Sequence, residues 1–147
     1  MALEQRNYEP SLMYGADRTG SGGLLSTNPT GIGIGYGTGA GGTVTQITNR
    51  ATGVTINKLS GAITTDTTSL AAEASAVFVV TNSTVAIGDV VVCSIRSGAV
   101  ALNTDVVVSA VAAGSFSITV INNNVAAGIA ETGAIIINFA VIKAVSA

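Results

Sequence analysis

The sequence contains no histidine and no tryptophan, and it has a single cysteine among its 147 residues. Without histidine, neither a Ser-His nor a Cys-His pair can form, which excludes the commonest ways of activating a nucleophile. The lone Cys93 ends the apolar run Val90–Cys93. A single cysteine excludes an internal disulfide, and its position in an apolar run favours a buried, unreactive thiol.

Carboxylates are also scarce and widely spaced. Beyond the first 30 residues they are Asp66, Glu73, Asp89, Asp105 and Glu131. Each lies beside a turn signal or at the end of a predicted strand, and their spacing matches no linear metal-binding pattern. Two of them could still meet in space and act as a general acid and base. We nevertheless expect no enzyme activity, no cofactor and no bound metal.

Charge of either sign is rare. Charged residues make up 10% of the chain and hydrophobic residues 48%, whereas about a quarter of a typical soluble domain is charged. A monomer of this composition would expose much apolar surface to water. The composition therefore favours permanent assembly with neighbouring subunits.

The same scarcity bears on other partners. Six Lys and Arg residues and a net charge of −2 provide no basic surface for nucleic acid. Every apolar run is interrupted well before the roughly 18 residues that a membrane helix needs. Glu4, Arg6 and Glu9 stand where a signal peptide would be apolar. We expect no nucleic-acid partner, no membrane span and synthesis in a cytoplasm.

Residues 1–30 predict an extended arm. No helical or strand period persists there, and Ser21–Gly23 and Asn28–Gly31 favour turns. We expect the arm to become ordered only on a partner, and a loose tail without a partner is the alternative. The side chains expected to contact that partner are Arg6, Tyr8, Leu12, Met13, Tyr14 and Arg18.

Residues 31–42 predict a glycine-rich connecting strand. Glycine alternates with larger residues there, and the period of two in a strand puts every glycine on one face. A bare face lets another backbone approach closely, so we expect Ile32, Ile34 and Tyr36 to pack between copies of the chain. A flexible linker is the alternative.

The run Gly37–Gly42 also has the spacing of a dinucleotide-binding turn, G-x-G-x-x-G. That turn works only when a helix follows it and presents backbone N–H groups to the phosphates. Here Thr43–Thr48 follows, which is a strand-forming sequence. We therefore expect no nucleotide site.

Residues 43–147 predict the folded domain, because short segments rich in Val, Ile and Thr alternate with turn signals. The predicted strands are Thr43–Thr48, Val54–Leu59, Ala62–Thr65, Ser75–Asn82, Val90–Arg96, Asp105–Val111, Ser115–Asn122 and Ala134–Ala144. Ser60-Gly61 suits a hairpin turn, and residues 70–74 favour at most one helical turn. We expect an antiparallel β-sandwich or small barrel of about seven or eight strands, which also serves as the oligomerisation domain.

Two strands differ in what they bury. In the strand beginning at Ser115, Phe116, Ile118 and Val120 share one face and small hydroxyl residues share the other. The last strand is apolar on both faces. We expect its second face, including Ile136 and Ile142, to pack against a neighbouring subunit.

Three phrases of the sequence carry a resemblance to a known class of proteins: Gly35–Gln46, Gly53–Gly61 and Ile137–Ala144. From about residue 33 to the carboxyl end, the chain resembles the head decoration or cement proteins of tailed bacteriophages, which stud the outer capsid and brace major-capsid subunits. The resemblance implies a structural protein of the virion, located on the outer capsid surface. It also implies a homotrimer at three-fold or quasi-three-fold positions, bound to the major capsid protein.

A tail-fibre or receptor-binding module that recognises a host surface glycan is the alternative function. Sugar-binding surfaces usually need exposed aromatic platforms. This chain has no tryptophan, its three phenylalanines lie in predicted strands, and its tyrosines lie near the start. The aromatic content therefore favours the capsid protein.

Overall fold

The computed structural model describes residues 35–37, 39–100, 103–125 and 128–144, which contain eight strands and no helix. The strands are β1 (Thr43–Thr45), β2 (Val54–Thr55), β3 (Ser60–Thr64), β4 (Ser75–Thr81), β5 (Val90–Ser97), β6 (Thr104–Ala112), β7 (Ser115–Asn122) and β8 (Ile136–Ile142). The chain divides into two units, Met1–Gly39 and Ala40–Ala147, and every described strand belongs to the second. The all-β prediction is confirmed.

The strands form two four-stranded sheets that pack face to face. Sheet I has the order β1-β3-β8-β5, and sheet II has the order β2-β4-β7-β6. The central pairings of both sheets are antiparallel, whereas the short strands β1 and β2 join β3 and β4 in parallel. Both sheets are thus mixed, which corrects the expectation of a wholly antiparallel sandwich, because the short strands β1 and β2 pair with β3 and β4 in parallel.

The predicted hairpin between β2 and β3 is wrong. Ser60 and Gly61 begin β3 instead of forming a turn, and β2 and β3 lie in different sheets. A Cβ atom on Gly61 would lie 2.7 Å from the carbonyl oxygen of Gly42 and 2.9 Å from the Phe139 ring. Glycine is therefore required at this position by close packing within the sandwich.

The core lies between the sheets and consists mainly of the inward-facing residues of the strands, with a few residues beside them such as Ile135. Its most buried side chains, each no more than 3% exposed, are Ile63, Phe78, Val80, Phe116, Ile118, Val120, Ile135, Ile137, Phe139 and Val141. Phe116 of sheet II and Phe139 of sheet I meet across the interior, with ring centroids 5.3 Å apart. The face predicted for Phe116, Ile118 and Val120 is confirmed.

Two segments outside the strands also test the sequence reading. Residues 71–74 form a single turn, in which the Ala74 N–H donates to the Ala71 carbonyl over 3.2 Å, as expected for so short a run. The described residues of the predicted connecting strand, 35–37 and 39–42, contain no strand. Gly39, at φ 91°, breaks the extended conformation there.

Gly98 and Gly88 provide a matched test of the backbone. Both have φ near +90°, but a Cβ on Gly98 would lie 2.0 Å from the Ala134 carbonyl oxygen, whereas a Cβ on Gly88 would meet nothing within 4 Å. We expect Gly88→Ala to lower the free energy of unfolding by about 1 kcal/mol, from backbone strain alone. Gly98→Ala should cost roughly 2–3 kcal/mol more, because the backbone must also move.

Urea unfolding followed by circular dichroism measures both changes. Equal losses for the two variants would show that Gly98 is not packed against residues 134–135.

Candidate assembly surfaces

The outer face of sheet II carries valine, alanine and hydroxyl side chains. We call it the valine face, and its residues are Val77, Val79 and Thr81 of β4, Ser115, Ser117 and Thr119 of β7, and Val107, Ala110 and Ala112 of β6. Val77, Val79 and Val107 are 50%, 47% and 44% exposed. Strand register places Val77, Thr119 and Val107 in one row across the sheet. The result is an apolar surface with hydroxyls along its middle strand.

The outer face of sheet I is also uncharged along its centre. We call it the isoleucine face, and its residues are Val90, Val92 and Ser94 of β5, Ile136, Asn138, Ala140 and Ile142 of β8, and Ser60, Ala62 and Thr64 of β3. Val90, Val92 and Ile142 are about half exposed. A shallow depression of about 240 Å³ lies between β5 and β8 and is lined by residues 92–94 and 138–140. Its small residues leave room for a partner's side chain.

Charged side chains of the described residues lie in loops or towards the ends of strands. The exposed or partly exposed ones are Lys58, Asp66, Glu73, Arg96, Asp105 and Lys143. This distribution follows from the strand period, since the sequence puts Thr, Ser, Val and Ala at the outward positions of the strand centres. The centres of both faces therefore lack the charges that normally keep a protein surface solvated, and Arg96 and Asp105 lie towards the ends of their strands.

The structure describes three of the five residues predicted to pack between copies. Ile142 and Ile136 both belong to the isoleucine face, where Ile142 is 53% exposed and Ile136 is half-buried. Tyr36 is 36% exposed. Ile32 and Ile34 lie outside the described residues, as do all six predicted arm contacts, Arg6, Tyr8, Leu12, Met13, Tyr14 and Arg18. That a neighbouring subunit covers β8 stays a prediction.

A polar centre that the sequence reading missed lies at the end of the sandwich where β7 finishes. Glu131 is fully buried, and its carboxylate accepts hydrogen bonds from the Val100 N–H and the Thr104 hydroxyl, both at 2.7 Å. It also accepts one from the Gly133 N–H at 3.2 Å. Because the carboxylate is fully buried and both of its oxygens accept hydrogen bonds, it joins the β5–β6 connection to the segment that leads into β8.

Arg50 lies beside this centre and is 3% exposed. Its guanidinium donates to the Thr65 hydroxyl at 3.1 Å and to the carbonyl oxygens of Glu131 and Gly133 at 3.2 and 2.7 Å. Burial lowers the pKa of Arg50, and the negative charge of Glu131 counteracts that effect. The loop after β1 is thereby fastened to the segment that leads into β8.

The opposite end of the sandwich is fastened by Asp89, which pairs with Lys143. Asp89 also accepts hydrogen bonds from the Ala86 N–H at 2.8 Å and the Ala144 N–H at 3.1 Å. The hydrogen bond from Lys143 is the main reason that the pKa of Asp89 lies below its usual value. These bonds fix the chain where it leaves β8.

Cys93 is half-buried, and burial raises the pKa of its thiol. A raised pKa leaves less thiolate at neutral pH, so the thiol is a poor nucleophile. This result agrees with the expectation of an unreactive cysteine.

Neither a scan of protein-family models nor searches of curated proteins and of solved structures found a match to this chain. Among the described residues, no group of three or more potential ligands is arranged to hold a metal ion. Among the residues that the structure describes, no helix is long and apolar enough to cross a membrane.

Glu131 provides a test of the polar centre by pH. Burial raises its pKa, but the hydrogen bonds from Thr104, Val100 and Gly133 and the charge of Arg50 lower it more, so its pKa lies below the usual value. A depressed pKa stabilises the fold above the unfolded-state value of about 4.3, and this contribution is lost as pH falls through the folded-state value.

We expect Glu131→Gln to lower the free energy of unfolding by about 1–3 kcal/mol at pH 7. The new amide NH₂ would face an N–H or hydroxyl group that now donates to the carboxylate. The loss of stability between pH 7 and about pH 3 should be smaller in this variant than in the wild type. Urea unfolding at pH 7 and at about pH 3 measures this difference in the free energy of unfolding, and Glu73→Gln serves as an exposed control. Identical pH dependence in the wild type and Glu131→Gln would contradict the assigned role.

Proposed function

We propose that the chain is a structural virion protein that associates with copies of itself and decorates the outer surface of a tailed-phage head, where it stabilises the lattice of the major capsid protein. The observation that carries the proposal is the pair of valine- and isoleucine-rich faces, uncharged along their centres, on opposite sides of the sandwich. The resemblance of the sequence to head decoration proteins supplies the partner and suggests a trimer.

The energetics favour assembly through many modest contacts. Burying the exposed half of one valine or isoleucine contributes about 1 kcal/mol. No single residue of either face can therefore hold a complex together. When several subunits are joined in one rigid body, their separate contacts act at high effective concentration and the whole attachment becomes long-lived.

The described residues provide little support for glycan recognition. Phe78, Phe116 and Phe139 are all no more than 3% exposed, so none of them can stack on a sugar. Tyr36, the one tyrosine among the described residues, is 36% exposed but precedes the sandwich in the chain. An exposed aromatic platform is therefore absent from the described part of the sandwich.

Deleting residues 1–30 tests the attachment to the head. We expect the truncated chain to keep its oligomeric state, because the sandwich lies within residues 40–147. It should lose co-sedimentation with phage heads made without this protein. Tyr8→Ala with Tyr14→Ala should weaken attachment in the same way, since both remove arm contacts.

Glu4→Ala with Glu9→Ala is the matched control, because it changes two arm residues that we do not assign to the contact. Full co-sedimentation of the truncated chain would refute the role of the arm. Failure of the full chain itself to bind heads would refute the decoration function.

A further inference from the structure

The strand directions bring the chain into the sandwich and out of it at the same end. Ser60 begins β3 and pairs with Ala140 near the end of β8. The chain that enters lies beside the start of β3, where the Ala62 N–H donates to the Gly42 carbonyl over 2.9 Å. The chain that leaves follows Ile142, the last residue of β8. We call this the terminal end of the sandwich and the opposite one the loop end.

The two ends differ in the sign of their charge. Among the described residues, the charged side chains of the terminal end are Lys58, Lys143 and Asp89. Those at the loop end or close to it are Arg50, Asp66, Glu73, Arg96, Asp105 and Glu131. Two cations with one carboxylate leave the terminal end at +1, whereas two cations with four carboxylates leave the loop end at −2. An acidic surface is therefore attracted to the terminal end and repelled by the loop end.

The lysines of the terminal end are exposed, whereas its carboxylate is not. Lys58 is exposed, and the side chains of Lys143 and Asp89 are 50% and 2% exposed. The Lys143 ammonium donates to Asp89 and, over 2.8 Å, to the Thr84 carbonyl, which leaves one of its three N–H groups for a partner. The surface of the terminal end is thus cationic, and Asp89 holds Lys143 in place.

The terminal end also presents one apolar side chain on an anchored turn. Ile87 is 76% exposed and lies between Ala86 and Gly88, in the connection from β4 to β5. The Ala86 N–H donates to the Asp89 carboxylate over 2.8 Å, and the Asp89 N–H donates to the Ala86 carbonyl over 3.1 Å. A side chain on such a turn loses little backbone freedom when it contacts a partner.

The predicted arm acts on the same end. The residues before Ala40 belong to a separate unit of the chain, which includes all six predicted arm contacts. Ala40 itself lies at the terminal end, since its carbonyl accepts a hydrogen bond from the Ser60 N–H over 3.4 Å. Of the whole sandwich, this end is the closest along the chain to the arm. Its own weak contacts therefore form at high effective concentration once the arm has bound a surface.

We propose that the terminal end of the sandwich is its docking face and that the complementary surface of the decorated protein is acidic. Lys58 and Lys143 then meet carboxylates of the partner, Ile87 makes an apolar contact, and the loop end points away from the head. The inference rests on the decoration function proposed above. It adds the orientation of the sandwich and the charge of the surface to which the sandwich binds.

A matched pair of cysteine variants tests the orientation. Ile87→Cys lies at the terminal end and Ile47→Cys at the loop end, just after β1, and the native side chains are 76% and 87% exposed. Each variant is coupled to a maleimide polyethylene glycol and then co-sedimented with phage heads made without this protein. We expect the polymer to weaken attachment of Ile87→Cys by at least about tenfold, because it separates the docking face from the head. The coupled Ile47→Cys variant should attach like the wild type.

Two controls isolate the effect of the polymer. Both variants should attach to heads before they are coupled. The wild type treated with the same reagent should remain unmodified and attach fully, since its one thiol, Cys93, is half-buried and has a raised pKa.

Charge reversal tests the chemistry of the partner surface. Lys58→Glu should weaken attachment by at least about tenfold, because it places an anion where an exposed cation faces an acidic surface. Glu73→Lys, the opposite reversal at the loop end, should leave attachment unchanged. Unchanged or tighter attachment of Lys58→Glu would overturn the acidic partner.

Three results of the polymer experiment would overturn the orientation while leaving the decoration function standing. They are attachment of both coupled variants, attachment of neither, and loss of attachment only in the coupled Ile47→Cys variant. A wild-type chain that does not bind heads would instead refute the decoration function, and the orientation would fall with it.

Discussion

Packing of alternate side chains between the two sheets is the interaction on which the rest of this structure depends. Once Phe116, Phe139 and their apolar neighbours occupy the interior, the period of two in each strand forces the intervening residues outwards. In most sandwiches those residues are polar and often charged. Here they are valine, isoleucine, alanine, serine and threonine, so the core that stabilises the fold also produces two surfaces poorly suited to bulk water.

The polar and charged groups have a complementary role at the two ends. Glu131 and Arg50 use buried hydrogen bonds to join the loops beyond β7 and β1, and Asp89 with Lys143 fixes the chain at the end of β8. No buried side-chain nitrogen or oxygen of the described residues is left without a hydrogen-bond partner. These bonds fasten both ends of the sandwich, so the two outer sheet faces lie between anchored loops.

The sequence predicted those features that depend on local pattern. The positions of the strands and the buried face of β7 followed from a period of two and from turn residues. Features that depend on distant parts of the chain were not predictable. The parallel pairings of β1 with β3 and of β2 with β4, and the packing role of Gly61, arise only when distant parts of the chain meet. Arg50 and Glu131 are 81 positions apart and look like isolated loop charges until the fold brings them together.

The central claim is that the uncharged faces of this sandwich are covered by other subunits. Light scattering of the purified full chain, coupled to size-exclusion chromatography, tests that claim most directly. The account predicts a mass that is a multiple of the 14.5 kDa chain, with three chains the first expectation from the resemblance to head decoration proteins. A soluble monomer that persists at the highest concentrations would contradict the account, because its exposed valines and isoleucines would then be stable in water without a partner.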